Sequence, residues 1–165
     1  MRTNPPATIR PIVVVLVSVL LLETLVAGIW ISSLNEDRTN LLRICGDSWP
    51  RLGSRTMLMG EDALAGDDVL YRTHNSHAQS ESYILQYCPL TEDESRLRQE
   101  LSCVLMYGAF IDPLLWENRS ALDFFGLALW DVGDPIYSGH PAGEALALTL
   151  TLIADMRAMG FPICY

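Results

Sequence analysis

Apolar positions crowd the start of this chain and recur at intervals through the rest of it. Ile12 to Ile31, IVVVLVSVLLLETLVAGIWI, is 20 residues long with one charged residue, Glu23. At ~1.5 Å of rise per residue, a helix of that length covers roughly the 30 Å of a bilayer's hydrocarbon core. Arg2 and Arg10 precede the run and Asn35-Glu36-Asp37 follow it. This asymmetry predicts residues 1–11 in the cytoplasm, residues 12–31 as a transmembrane anchor and residues 32–165 as an extracytoplasmic domain, periplasmic or extracellular. Trp30 stands where an interfacial anchor would stand. A cleaved signal peptide is the competing reading, with Val26-Ala27-Gly28 offering small residues to a signal peptidase. The apolar run continues past that cut through Ile29-Trp30-Ile31, which favours a retained anchor. Both readings export residues 32–165.

Beyond the anchor the apolar period shortens to that of amphipathic helices. Ser33-Leu34-Asn35-Glu36 has the spacing of a capping box and predicts a short helix through Leu41, Leu42 and Cys45. From Gly46 to Gly66 the glycines and Pro50 break the period and predict loops, with an amphipathic turn at Met57-Leu58 and a short helix across Asp62–Tyr71. Arg72–Ser82, RTHNSHAQSES, reads as a polar surface connection. Tyr83–Tyr87 fits a strand or a helix equally.

The second half is more regular. Thr91-Glu92-Asp93-Glu94 is a capping box with acids at the positive end of a helix, and Leu97, Leu101, Val104, Leu105, Gly108 and Ile111 follow at helical spacing up to Asp112-Pro113. Ser120–Asp123 predicts the start of another helix, through Phe124, Leu127, Leu129 and Trp130, ending near Gly133 in a turn that includes Asp134-Pro135. Pro141 fits the first position of a last helix through Leu146, Leu150, Ile153 and Met156 to a stop at Gly160. Its unbroken apolar stretch, ten residues between Glu144 and Asp155, is too short to span a bilayer and predicts a core helix. No internal repeat or sustained heptad pattern stands out. The expected fold is mostly α: one N-terminal transmembrane helix, then a small, disulfide-stapled helical extracytoplasmic domain with irregular loops.

Four cysteines, Cys45, Cys88, Cys103 and Cys164, lie on the exported side, and an even count there predicts two disulfides among three possible connectivities. A helix from Glu92 through Cys103 carries Cys103 more than ~15 Å from its start, which makes Cys88–Cys103 awkward and favours Cys45–Cys88 with Cys103–Cys164. The absence of C-x-x-C spacing argues against a zinc site or a thioredoxin-like redox pair.

Charge narrows the partners. A net charge of −9, with eleven Arg and no Lys, removes lysine chemistry and disfavours nucleic acid, leaving basic protein surfaces or cations as the better match. Gly46-Asp47-Ser48 resembles the nucleophile block of the GDS-type (SGNH) hydrolases over three residues. That resemblance implies an Asp-x-x-His pair near the C-terminus, whereas Asp134 and His140 here are six apart, so a turn ending a helix is the preferred reading. His74 and His77 with Glu81 have the spacing of a metal site on a helix but lie in a Ser- and Asn-rich stretch read as solvated loop. Asn118-Arg119-Ser120 matches the N-glycosylation sequon, with Ser120 already serving as a helix cap. Glu23 differs in kind. A carboxylate within a span costs on the order of 3 kcal/mol and predicts a contact with another subunit.

These features predict no catalytic residue, metal site or cofactor. The expected function is a non-enzymatic, single-pass accessory or assembly subunit of a larger membrane complex, binding other membrane-protein subunits through its span and its acidic domain. An extracytoplasmic sensor or ligand-binding domain and a secreted disulfide-bonded interaction factor are the alternatives.

Overall fold

Six helices make up the computed structural model, which describes residues 9–109, 113–139 and 142–164. They are α1 (Ile9–Ala65), α2 (Asp68–Leu85), α3 (Glu92–Ala109), α4 (Pro113–Glu117), α5 (Arg119–Tyr137) and α6 (Ala142–Ala158). The chain divides into two units, one up to Leu41 and one from Leu42 onward.

Within the first unit, α1 is long and apolar enough to cross a membrane. An 18-residue window of it has a mean hydropathy of 1.5, and none of that window is buried. The Ser33–Glu36 box does not start a helix, because α1 runs through it without interruption.

In the second unit, buried positions follow steps of three or four residues, the spacing of helices packed at shallow angles. On α1 these are Cys45, Ser48, Leu52, Thr56, Met59 and Ala63, and on α5 Leu122, Gly126, Leu129, Gly133 and Ile136. Helix α6 packs against both α3 and α5, and α2 packs against α3. Thr149, Leu152, Ile153 and Met156 of α6 are buried, as expected of a core helix.

The Gly46–Gly66 region corrects the sequence reading most. It is helix α1 as far as Ala65, and Gly53 and Gly60 serve close packing rather than turns. A Cβ on Gly53 would lie 2.7 Å from the carbonyl oxygen of Gly133, and one on Gly60 would lie 2.5 Å from that of Gly126. The relation is reciprocal, since a Cβ on Gly133 would meet the Gly53 carbonyl oxygen at 2.7 Å and one on Gly126 the Gly60 carbonyl oxygen at 2.8 Å. Two glycine pairs, each seven residues apart, thus bring α1 and α5 together backbone to backbone in antiparallel sense. Pro50 and Pro135, read as breakers, both lie inside helices. Each removes one ladder hydrogen bond at a cost of roughly 3 kcal/mol, and packing of α1 and α5 offsets it.

The true break follows at Gly66, whose φ of 76° ends α1 and lets Asp67 N–H donate to Asp62 C=O at 2.9 Å. This divides the short helix expected across Asp62–Tyr71. Asp67 caps α2 by accepting from Leu70 N–H at 3.0 Å. The polar stretch Arg72–Ser82 is accordingly helix, not surface connection, and it hides a stripe of Tyr71, Asn75, Ala78, Ser82 and Leu85.

The Thr91 box works as expected. Glu94 Oε2 accepts from Thr91 N–H at 2.7 Å, and Thr91 Oγ1 accepts from Glu94 N–H at 3.3 Å. Helix α5 is capped by Asn118 in place of Ser120 and continues past Gly133 to Tyr137. Gly160, φ 91°, stops the last helix, and Phe161 N–H returns to Met156 C=O at 3.0 Å. The expectations for Ile111, Asp112, His140 and Pro141 fall outside the described residues.

The cysteines join as Cys45–Cys88 and Cys103–Cys164, with Cα–Cα distances of 5.8 and 5.5 Å. The first ties α1 to the residues after α2. The second holds a tail whose Phe161 and Ile163 are buried and whose Ile163 C=O accepts from Arg157 Nε–H at 2.8 Å.

Candidate functional site

Two places in the chain carry features that packing alone does not require. The first is the bare apolar stretch of α1. From Val19 to Leu34 its large side chains are exposed on every side of the helix, with Leu22 at 65% and Trp30 at 69%. Apolar surface of this extent in water is unfavourable by roughly 25 cal/mol per Å² and requires a covering medium. Glu23 sits within it and has no hydrogen-bond or ion-pair partner among the described residues. Thr24 satisfies itself by donating to Leu21 C=O at 2.9 Å.

The second place was not anticipated from the sequence. Where α2 folds back at Gly66, His74 Nδ1 lies 2.6 Å from Asp62 Oδ2, and both side chains are largely sheltered, at 17% and 11% exposure. Beside them Tyr71 is fully buried, with its ring 5.7 Å from that of Trp116 at an interplanar angle of 84°. Neither the Tyr71 hydroxyl nor the Trp116 indole N–H has a hydrogen-bond partner among the described residues. Burial pushes the Tyr71 hydroxyl far above its ordinary pKa, and the nearby Tyr107 and Asp62 add to the shift. A sheltered Asp–His pair can orient a proton, but among the described residues no serine or cysteine joins it as a nucleophile. No sequence spacing signals this pairing, because the two residues meet across a turn twelve positions apart.

The remaining candidates separate. His74 is held by Asp62, His77 is exposed, and Glu81 lies 3.9 Å from Arg51, so the three do not converge. Among the described residues no group of three His, Cys, Asp or Glu is placed to hold a metal. Gly46-Asp47-Ser48 lies inside α1 and neither ends a helix nor forms a nucleophile loop. Ser48 is buried and donates to Ile44 C=O at 3.0 Å, while Asp47 pairs with Arg51 at 3.5 Å. Asn118 is exposed and its side chain accepts from Ala121 N–H at 3.1 Å.

Comparison with known proteins adds no relative. No family model, curated protein or solved structure matches the chain.

Proposed function

We propose that this chain is a non-enzymatic, single-pass membrane protein that serves as an accessory or assembly subunit of a larger membrane complex. The observation that carries the reading is the exposed apolar surface of α1 around an unpartnered Glu23. A bilayer covers the leucines, but it does not satisfy a carboxylate, which needs a donor from a neighbouring span. The Arg residues before the span favour a cytoplasmic N-terminus and an extracytoplasmic domain. Two disulfides support an oxidising compartment for that domain, and its acidic character suits a basic partner surface.

The test is extraction of the full chain in mild detergent, followed by mass spectrometry of what co-purifies with it. Glu23→Gln keeps a hydrogen bond and should leave association largely intact. Glu23→Leu strands the partner's donor and should weaken association by about 0.6 kcal/mol, more if the partner is charged. Unchanged co-purification of Glu23→Leu at low and high salt would remove the span as a subunit contact. A mature N-terminus at Ile29 would remove the anchor itself.

A further inference from the structure

The groove between α2 and α3 has a donor surplus that the fold does not use. It encloses about 190 Å³ and runs from Gln86 and Arg98 at one end, past Ser82 and Ser102, to Leu105 and Met106 at the other. Arg98 Nε is buried without a hydrogen-bond partner, and the guanidinium forms no salt bridge among the described residues, although acids outnumber basic residues 20 to 11 in this chain. At mid-groove Ser82 Oγ and Ser102 Oγ are hydrogen-bonded to each other. That bond uses one hydroxyl proton and leaves the other to seek an acceptor. Gln79 is turned away from the groove's need, since its amide donates to Leu105 C=O at 3.1 Å. The groove therefore offers the outer guanidinium nitrogens of Arg98 at one end, a hydroxyl proton in the middle and the exposed Met106 side chain at the other.

The half-exposed Arg98 guanidinium has no anion beside it among the described residues, and its fork matches a carboxylate better than a single-point acceptor. The volume is below the 300–1,000 Å³ of drug-sized pockets and has room for roughly six waters at ~30 Å³ each. We infer that the α2–α3 groove binds a small amphipathic monocarboxylate, with its carboxylate on Arg98 and the serine pair and its apolar end against Met106. The inference does not depend on the span or on any partner subunit.

The probe is 4-fluorobenzoate, followed by ¹⁹F NMR with the full chain in nanodiscs and with empty nanodiscs as the blank. Saturable binding at about millimolar concentration is expected for so small a ligand. The neutral isostere 4-fluorobenzamide should bind at least tenfold more weakly. Arg98→Met, which removes an unpartnered buried donor and should keep its melting temperature, should lose tenfold or more. Met106→Glu, at an exposed position, should weaken binding severalfold by charge repulsion without touching the core. Equal binding of the acid and the amide, binding no greater than to empty nanodiscs, or undiminished binding to a folded Arg98→Met would each overturn the assignment.

Discussion

Gly53 and Gly133 face each other across the α1–α5 contact with no space for a side chain on either, since a Cβ on one would lie 2.7 Å from the other's carbonyl oxygen. The obstacle in both cases is backbone, which cannot swing aside as a flexible side chain can. Alanine ordinarily stabilises a helix by up to about 1 kcal/mol relative to glycine. Here Gly53→Ala, Gly60→Ala and Gly133→Ala should each destabilise the protein by roughly 1–3 kcal/mol through overpacking. Gly46 provides the internal contrast, because a Cβ there meets nothing within 4 Å, so Gly46→Ala should raise the melting temperature. Thermal unfolding of the four variants in one detergent checks the opposite signs.

Tyr71 predicts how the protein responds to alkali. Its hydroxyl stays protonated in the folded state well above the ordinary tyrosine pKa, because ionisation would place a charge in a fully buried site. In the unfolded chain it ionises near pH 10. The raised pKa contributes stability that is fully present below about pH 10 and is lost at about 1.4 kcal/mol per pH unit above it. Tyr71→Phe should abolish this share of the alkaline slope. It should change stability little at pH 7, where it also removes a buried hydroxyl that has no partner among the described residues. Urea unfolding of both proteins at pH 7, 10 and 11 measures the difference.

Asp62 and His74 should behave as a coupled pair. His74→Ala leaves a sheltered carboxylate unmet, and Asp62→Ala leaves the imidazole unmet, so each should cost about 1–3 kcal/mol. The double variant should cost less than the sum of the two. An additive double-mutant cycle would mean that the 2.6 Å contact has no energetic weight.

Both disulfides should form in the purified chain. Alkylation of the unreduced, denatured protein should label no cysteine. Removing Cys45–Cys88 or Cys103–Cys164 by paired serine substitution should cost about 2–4 kcal/mol each, as expected for loops spanning 43 and 61 residues. Labelling of two or more cysteines would overturn the pairing.

What the sequence showed and what it hid divide along physical lines. Helices α3 and α6 were legible because their signals are local, a reciprocal cap at Thr91 and Glu94 and a stop at Gly160. The reach of a helix disfavoured one of the three cysteine connectivities, and the observed pairing is the preferred one of the two that remained. Helix α1 beyond Gly46 was not legible, because Gly53, Gly60 and Pro50 each disfavour a helix in isolation, and only contact with α5 reverses that preference. Gly53 and Gly60, seven residues apart, form the seam, and Gly46 at the same spacing lies outside it. In α2 the buried stripe contains Asn75 and Ser82, so a search for apolar period misses it. The Asp62–His74 pair and the Arg98 groove arise from residues on different helices and have no one-dimensional signature.

The glycine seam also leaves a choice of register open. Because glycine recurs every seventh residue at 46, 53 and 60, sliding α1 by one heptad along α5 would set Gly46 against Gly133 and Gly53 against Gly126. Glycine would again meet glycine at both crossings, so the glycines by themselves do not set the register, and contacts such as Asp62–His74 and Arg119 to Leu64 C=O must. The slip is about 10.5 Å, seven residues at ~1.5 Å each. It would carry Cys45 far beyond the ~7 Å Cα separation that a disulfide can bridge to Cys88. The Cys45–Cys88 bond is thus compatible with the observed alignment and not with the shifted one, so oxidation adds a covalent check on a register that the glycines alone would leave degenerate.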